Sequence, residues 1–263
     1  FLSFFPTIAV ILNIEADHLD FFKDLEDVES SFRAFADLVP EGGRIIANRD
    51  DENTMHTLAG ETRPVTTFGL EEGDVHAAGL TWSKGLPSFD IILRGERFAH
   101  VSLRVPGLHN VKNALAAAAA AAALGVSGEA VERGLGQFGG AGRRFEYKGS
   151  FRGAEIYDDY AHHPGELKAL LDAAHTLGYQ RVICAFQPHT YTRTAALFDD
   201  FVEVLKQPDV ALLAEIYAAR ETNDIGISSK DLAARIPGAR YCATLPEVTA
   251  ALRELARPGD LIL

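Results

Sequence analysis

A chain of 263 residues with a formal charge of −12 has room for two modest α/β domains, and its acidity excludes a general nucleic-acid binder, which needs a basic face against phosphate. Apolar residues make up 47% and charged residues 24%, the balance of a globular protein, and no run reaches the ~18–20 apolar residues of a membrane helix. The two cysteines, Cys184 and Cys242, stand far apart in apolar runs with no CxxC pair; this predicts buried thiols in a reducing cytoplasm and no zinc–thiolate site.

The first dozen residues are apolar, but Pro6, Asn13 and the lack of a basic flank argue against a signal peptide. The chain opens without a methionine and is expected to start in mid-protein. Val10–Ile14 has the continuous apolar character of a buried parallel strand, with a polar turn from Glu15 to Asp20 at its carboxyl end. Val28, Phe32, Phe35 and Leu38 give residues 27–38 a helical stripe that Pro40-Glu41-Gly42-Gly43 stops. Arg44–Asn48 and Val65–Gly69 follow as strands. Val75–Trp82, Phe89–Arg94 and Ala99–Val105, joined by short Gly-containing turns, predict an antiparallel meander. Eight consecutive alanines at 116–123 suit a closely packed buried helix, because alanine favours helix and lets a neighbour approach.

Gly139-Gly140-Ala141-Gly142 is the expected hinge between a domain over 1–141 and a second over 142–263. Beyond it strands and helices alternate: strand Ile156–Asp158, helix Pro164–Leu177, strand Val182–Phe186, helix Tyr191–Leu205, strand Val210–Leu213, helix Ser229–Ile236, strand Tyr241–Ala243, helix Pro246–Ala256, and a last strand from Leu261. Helical crossovers of this kind build a parallel, Rossmann-like sheet. The last strand meets the end of the chain, so part of this domain is expected to be missing.

Ligands of parallel α/β sheets bind beyond the carboxyl ends of the strands. Four polar clusters fall at such places: residues 13–18, 107–113, 158–164 and 187–193. Each alone is compatible with ordinary loop polarity; together they mark candidate chemistry. Asn110 and Asn113 lie three apart on one helical face, and a carboxamide both donates and accepts, as an adenine edge requires; Asn110 is equally suited to cap the helix. Arg193 can grip a carboxylate with two parallel bonds. His162 and His163 are adjacent, so their side chains diverge and a dinuclear metal pair is not expected.

Asn13-x-x-x-Asp17-His18 after a strand, His109-Asn110-x-x-Asn113 opening a helix, and Arg144-Phe145 followed by Asp158-Asp159-Tyr160-Ala161-His162-His163-Pro164 resemble the Mur ligase superfamily in order and spacing. Phe186–Thr194 and Ile216–Glu221 resemble its alanine-adding branch. The resemblance runs the length of the chain. It implies the rear of a P-loop-type central domain carrying the meander, then a Rossmann-like C-terminal domain. It also implies an ATP- and Mg2+-dependent ligase that joins L-alanine to UDP-N-acetylmuramate through an acyl phosphate. No G-x-x-x-x-G-K-[ST] occurs in the chain, so the chain by itself is expected to be inactive.

By the same resemblance His18 is a catalytic residue and metal ligand, although hard cations prefer oxygen. Asn110, Asn113, Arg144 and Asp159 are implied to hold the nucleotide, with Arg144 also acting on phosphate in catalysis. Tyr160, His162, His189 and Arg193 are implied to hold the amino acid. No nucleic acid, membrane or obligate protein partner is expected. Three other readings stay open: a ligase recycling a whole tripeptide onto the same sugar nucleotide, a metal-dependent hydrolase using His18, His109, Asp159 and His162, and a nucleotide-binding module without catalysis.

Overall fold

The computed structural model describes residues 1–18 and 21–263, which divide between Gly139 and Gly140 into two compact units. In the first unit the order is β1 (Ile8–Ile11), α1 (Leu25–Asp37), β2 (Arg44–Asn48), α2 (Glu52–Thr57), β3 (Val65–Gly69), β4 (Val75–Ser83), β5 (Leu86–Leu93), β6 (Glu96–Ser102), α3 (Leu108–Ala123) and α4 (Gly128–Gln137). One six-stranded sheet runs β1-β2-β3-β4-β5-β6, parallel through β4 and antiparallel from β4 to β6. The meander thus extends the parallel sheet as its antiparallel margin.

The alanine-rich helix α3 lays Val111, Ala114, Leu115, Ala116, Ala118 and Ala119 against a buried face built from Phe68, Phe89, Ile91 and Val101. The small side chains let the helix sit close to the strands while the sheet's aromatic groups fill the space between. Helix α4 is locked on by its first residue: a Cβ on Gly128 would lie 1.7 Å from the Phe98 carbonyl oxygen, a contact that only glycine permits.

The second unit runs β7 (Glu146–Phe151), β8 (Ala154–Asp158), α5 (Pro164–His175), β9 (Arg181–Phe186), α6 (Tyr191–Ala196), α7 (Phe198–Val204), β10 (Val210–Ala214), α8 (Ser229–Arg235), β11 (Arg240–Cys242), α9 (Leu245–Leu255) and β12 (Asp260–Ile262). Its sheet has the order β11-β10-β9-β12-β8-β7, all parallel except for the β7–β8 hairpin at one edge. The chain's last strand therefore lies between β8 and β9, in the middle of the sheet. Buried apolar residues cover both faces, Leu171, Phe201 and Leu232 on one and Ile183, Leu212 and Ala251 on the other. Cys184 and Cys242 are buried and unpaired, and burial pushes the Cys184 thiol up to about 12. Among the described residues no helix is long and apolar enough to cross a membrane.

Three local expectations are corrected. The first strand ends at Ile11, not Ile14: residues 12–14 leave the ladder and are held by side chains described below. The single helix expected over Tyr191–Leu205 breaks at Leu197, which leaves the helical region with φ −111° and ψ 25°. The short α2, α4 and β7 have no counterpart among the elements that the sequence predicts. Their apolar stripes are too short for a periodicity argument, and α2 is set by its cap, Asp51 accepting from the Thr54 amide.

The buried charge in the second unit is Asp260, 2% exposed. It takes Arg181 in a two-point pair at 2.9 and 2.7 Å and accepts the Arg257 amide at 2.8 Å, joining β12 to β9. The Arg181 guanidinium holds its carboxyl below the usual range. A depressed folded pKa means the stabilisation is complete above the unfolded value of about 3.9 and is lost as the pH falls through the folded one. Asp260→Asn is expected to destabilise this unit by about 2–4 kcal/mol at neutral pH. Its gap to wild type should narrow as the pH falls below the ordinary aspartate value of about 3.9 and through the depressed folded one. Labelling of the buried Cys184 and Cys242 thiols against urea and pH reads this directly; equal labelling of variant and wild type at neutral pH would refute it.

Candidate functional site

In the first unit the loops after β1, β2 and β3 open at one edge of the sheet. The loop after β1 carries Asn13, Glu15, Asp17 and His18. Asn13 Nδ2 donates to Glu15 at 3.0 Å, the His18 amide donates to Asp17 at 2.7 Å, and His18 Nε2 lies 3.6 Å from the other Asp17 oxygen. His18 has φ 55°, in the left-handed region where histidine is tolerated better than most residues, and its side chain is 63% exposed. Leu19 and Asp20, the end of the predicted turn, lie outside the described residues.

What holds this loop is the Asn48-Arg49-Asp50-Asp51 corner at the end of β2, which lies outside the four polar clusters of the sequence. Asn48 Nδ2 donates to the Leu12 carbonyl at 2.8 Å, Asp51 accepts the Ile14 amide at 3.1 Å, and Asn53 donates to the Ile14 carbonyl at 2.8 Å. Asp50 accepts the Leu70 amide after β3 and pairs with Lys112 on α3 at 3.1 Å. One corner thus ties the His18 loop, the end of β3 and the start of α3 together. The available signal was a polar, carboxylate-rich run directly after a strand. An open pocket of about 730 Å3 lies on this edge, with Arg49, Asp50 and Met55 on one side and Leu70, Glu72 and Lys112 on the other.

Helix α3 starts after Gly107, at φ 96° and without a side-chain cap. Asn110 Nδ2 donates back to the Pro106 carbonyl at 2.7 Å, so this residue shapes the turn; Asn113, exposed one turn on, lies 3.4 Å from Asn110 Oδ1. His109 is exposed at the same turn.

The second unit gathers its candidate residues at the carboxyl ends of β8 and β9. Asp159 accepts the Phe145 amide on one oxygen and the Ala161 amide on the other, both at 2.8 Å, which binds the Arg143–Phe145 turn to the turn after β8. Arg143 and Phe145 take φ 57° and 49° there. Arg143 stacks over the Tyr160 ring with its guanidinium carbon 4.5 Å from the centroid, and Arg144 stands at 5.9 Å. Arg144 also lies 3.6 Å from Glu166, a half-exposed pair that an incoming anion can displace at small cost. His163 is the N-cap of α5, its Nδ1 accepting the Gly165 amide at 3.2 Å.

Tyr160, His162 and His189 follow one another with ring centroids 5.3 and 6.5 Å apart, and Tyr217 packs on His189 at 5.5 Å. Arg193 Nη1 is 3.5 Å from His189 Nδ1. Burial, Arg193 and His162 lower the His189 pKa, so the imidazole is neutral at pH 7 and its Nδ1 can accept from Arg193. A neutral imidazole, a guanidinium and a phenol converge here, a set suited to a small zwitterion with a carboxylate to grip.

Both units carry polar loops at the carboxyl edge of a largely parallel sheet, the place where α/β proteins bind their ligands. The Mur ligase middle domain matches residues 2–121 and the Mur ligase glutamate ligase domain matches residues 143–263. The chain belongs to the Mur ligase family. It is similar to the UDP-N-acetylmuramate–L-alanine ligases of Caldanaerobacter subterraneus subsp. tengcongensis, at 43% identity, and Clostridium novyi, at 42%; each match covers 100% of this chain and 58% of the relative. The crystal structure of the UDP-N-acetylmuramate–alanine ligase from Thermotoga maritima matches with TM-score 0.78 and 26% identity over 100% of this chain and 56% of that one. A murein peptide ligase from Psychrobacter arcticus matches with TM-score 0.69 and 25% identity over 99% of this chain and 54% of that one. The chain thus spans less than two thirds of the length of these relatives.

Asp51→Ala removes the acceptor for the Ile14 amide and the α2 cap together, at an expected cost of about 1–3 kcal/mol. Amide exchange at Ile14 and Thr54 should accelerate at least about tenfold while β5 is unchanged. Unaltered protection at Ile14 would mean that Asp51 does not hold the loop.

Proposed function

We propose that this chain is the nucleotide- and amino-acid-handling part of a ligase that joins L-alanine to UDP-N-acetylmuramate with ATP as the energy source. The observation that carries the reading is the convergence of Tyr160, His162, His189 and Arg193 at the ends of β8 and β9. Relatives named for that reaction match the chain over its whole length, which favours it over the tripeptide-recycling alternative.

In this reading Asn113 offers its exposed carboxamide to the adenine edge, while Asn110 keeps the α3 turn in shape through Pro106. Asp159 retains lone pairs for ribose hydroxyls beyond the two amides that it accepts. Arg144 supplies positive charge to phosphoryl oxygens. His189 and Arg193 hold the amino acid, Arg193 by its carboxylate.

The Asp17–His18 pair offers one hard and one softer donor, and no group of three ligating side chains stands among the described residues. That set fits a magnesium ion that keeps most of its shell as water and phosphate oxygen. Bound there, the ion would supply charge neutralisation for phosphoryl transfer.

The test is phosphate release by the full-length protein, expected only when ATP, UDP-N-acetylmuramate and L-alanine are all supplied; release driven by a tripeptide and not by alanine would overturn it. Arg193→Ala should raise the KM for L-alanine by about one to two decades and leave ATP binding intact, the loss of a charge-assisted pair being about 1.5–3 kcal/mol. Arg193→Lys should restore only part of this, since an ammonium cannot form the two-point fork. Asn113→Ala should show the reverse pattern, weaker ATP binding with a normal alanine KM. A swap of the two patterns would exchange the assignments.

A further inference from the structure

Helix α6, which carries Arg193, has no cap of its own. It starts after Thr190, a β-branched residue at φ 69° and ψ 144° whose side chain makes no capping bond. Such a backbone costs about 1–3 kcal/mol and persists only where neighbours over-determine it. The neighbours come from the segment after β10. Gln187 Nε2 donates to the Glu215 carbonyl at 3.0 Å, the Tyr217 amide donates to the Pro188 carbonyl at 2.9 Å, and the Thr190 amide donates to the Tyr217 carbonyl at 2.9 Å. Glu221 completes the set: one oxygen accepts the Tyr191 and Thr192 amides at 2.6 and 3.0 Å, and the other accepts the Thr192 hydroxyl.

We propose that Glu221 is a positioning residue for the amino-acid subsite, an N-cap delivered from outside the helix that fixes the first turn of α6 and with it Arg193 and His189. The proposal rests on the reading that those two residues receive the amino acid. A carboxylate so close to such a site invites assignment as the partner of the substrate ammonium. Its bonds argue otherwise, because three donors of the protein itself take three of the roughly four acceptor positions of the carboxylate and both of those on one oxygen. Burial raises the Glu221 pKa, but the Thr192 hydroxyl and the two amides outweigh it and hold the group ionised. Arg193 lies directly after the two capped residues, and the buried Thr194 hydroxyl donates to the Thr190 carbonyl at 2.7 Å, closing the turn from its inner side.

In the full-length protein Glu221→Ala is expected to raise the KM for L-alanine about tenfold, in the range of a lost helix cap, with kcat and the KM for ATP within about twofold. Glu221→Gln should fall between, because its carboxamide oxygen still accepts an amide while its nitrogen cannot. Amide exchange at Tyr191 and Thr192 should accelerate in Glu221→Ala, with Ile183 and Leu212 in the sheet keeping their protection as the control for folding. Arg193→Ala measured alongside separates the two claims. If it raises the alanine KM and Glu221→Ala does not, the positioning role is wrong and the subsite stands. If Arg193→Ala leaves the alanine KM unchanged, the subsite reading is wrong and the proposal goes with it. A Glu221→Gln variant as impaired as Glu221→Ala, with Tyr191 and Thr192 still protected, would make Glu221 a direct ligand of the ammonium and overturn the positioning role.

Discussion

Where a parallel strand ends, its backbone amides leave the ladder while still close to the core, and each must find an acceptor or cost about 1–3 kcal/mol. In this protein carboxylates from neighbouring loops supply many of those acceptors. Asp51 takes Ile14, Asp159 takes Phe145 and Ala161, Glu166 takes His162 and His163, and Glu221 takes Tyr191 and Thr192. Apart from the Asp159–Ala161 bond, which closes a single turn, each joins the end of one strand to another loop or to the helix that follows. The loops at the carboxyl edges, where α/β proteins bind their ligands, are thereby held in conformations that local preference would not choose.

This arrangement separates two kinds of residue. His18, Arg144, His189 and Arg193 carry the candidate chemistry on the loops of their two units. Asp51 and Glu221, which hold their loops, spend their charge on backbone amides and a neighbouring threonine hydroxyl, and Asp159 holds a turn while keeping lone pairs to spare. The chain is acidic overall, yet Arg143 and Arg144 stay half exposed around Tyr160, while loop carboxylates such as Glu221 remain ionised with their oxygens turned to protein donors. The lowered pKa of His189 follows from the same crowding, since burial and the nearby Arg193 disfavour a second positive charge.

Five of the eight left-handed non-glycine residues among the described residues lie at the same places, while Lys84, Arg94 and Arg152 sit in tight hairpin turns. His18, Arg143, Phe145, Thr190 and Ala219 all have positive φ, and all lie in loops at sheet edges or in the turn leading into the second unit's sheet. Backbone strain of this kind survives where surrounding bonds over-determine it. At Thr190 those bonds can be named, from Glu215 through Glu221. They explain why a helix with so poor a start carries the candidate amino-acid grip.

The amino-acid sequence by itself determined the alternation of strands and helices, the meander, the packed alanine helix and the four polar clusters, because hydrophobic period and turn chemistry are local properties. It also carried the motif order that places the chain among the Mur ligases. Tertiary structure alone decided that the last strand inserts between β8 and β9, that β1 stops at Ile11, and that the Tyr191–Leu205 segment breaks at Leu197. It alone decided that Asp51 belongs to the His18 loop 37 residues away and Glu221 to the start of α6 about thirty residues upstream. Periodicity reports which face of an element is buried, whereas an amide's acceptor depends on which loop folds beside it, and that pairing has no signature in local spacing.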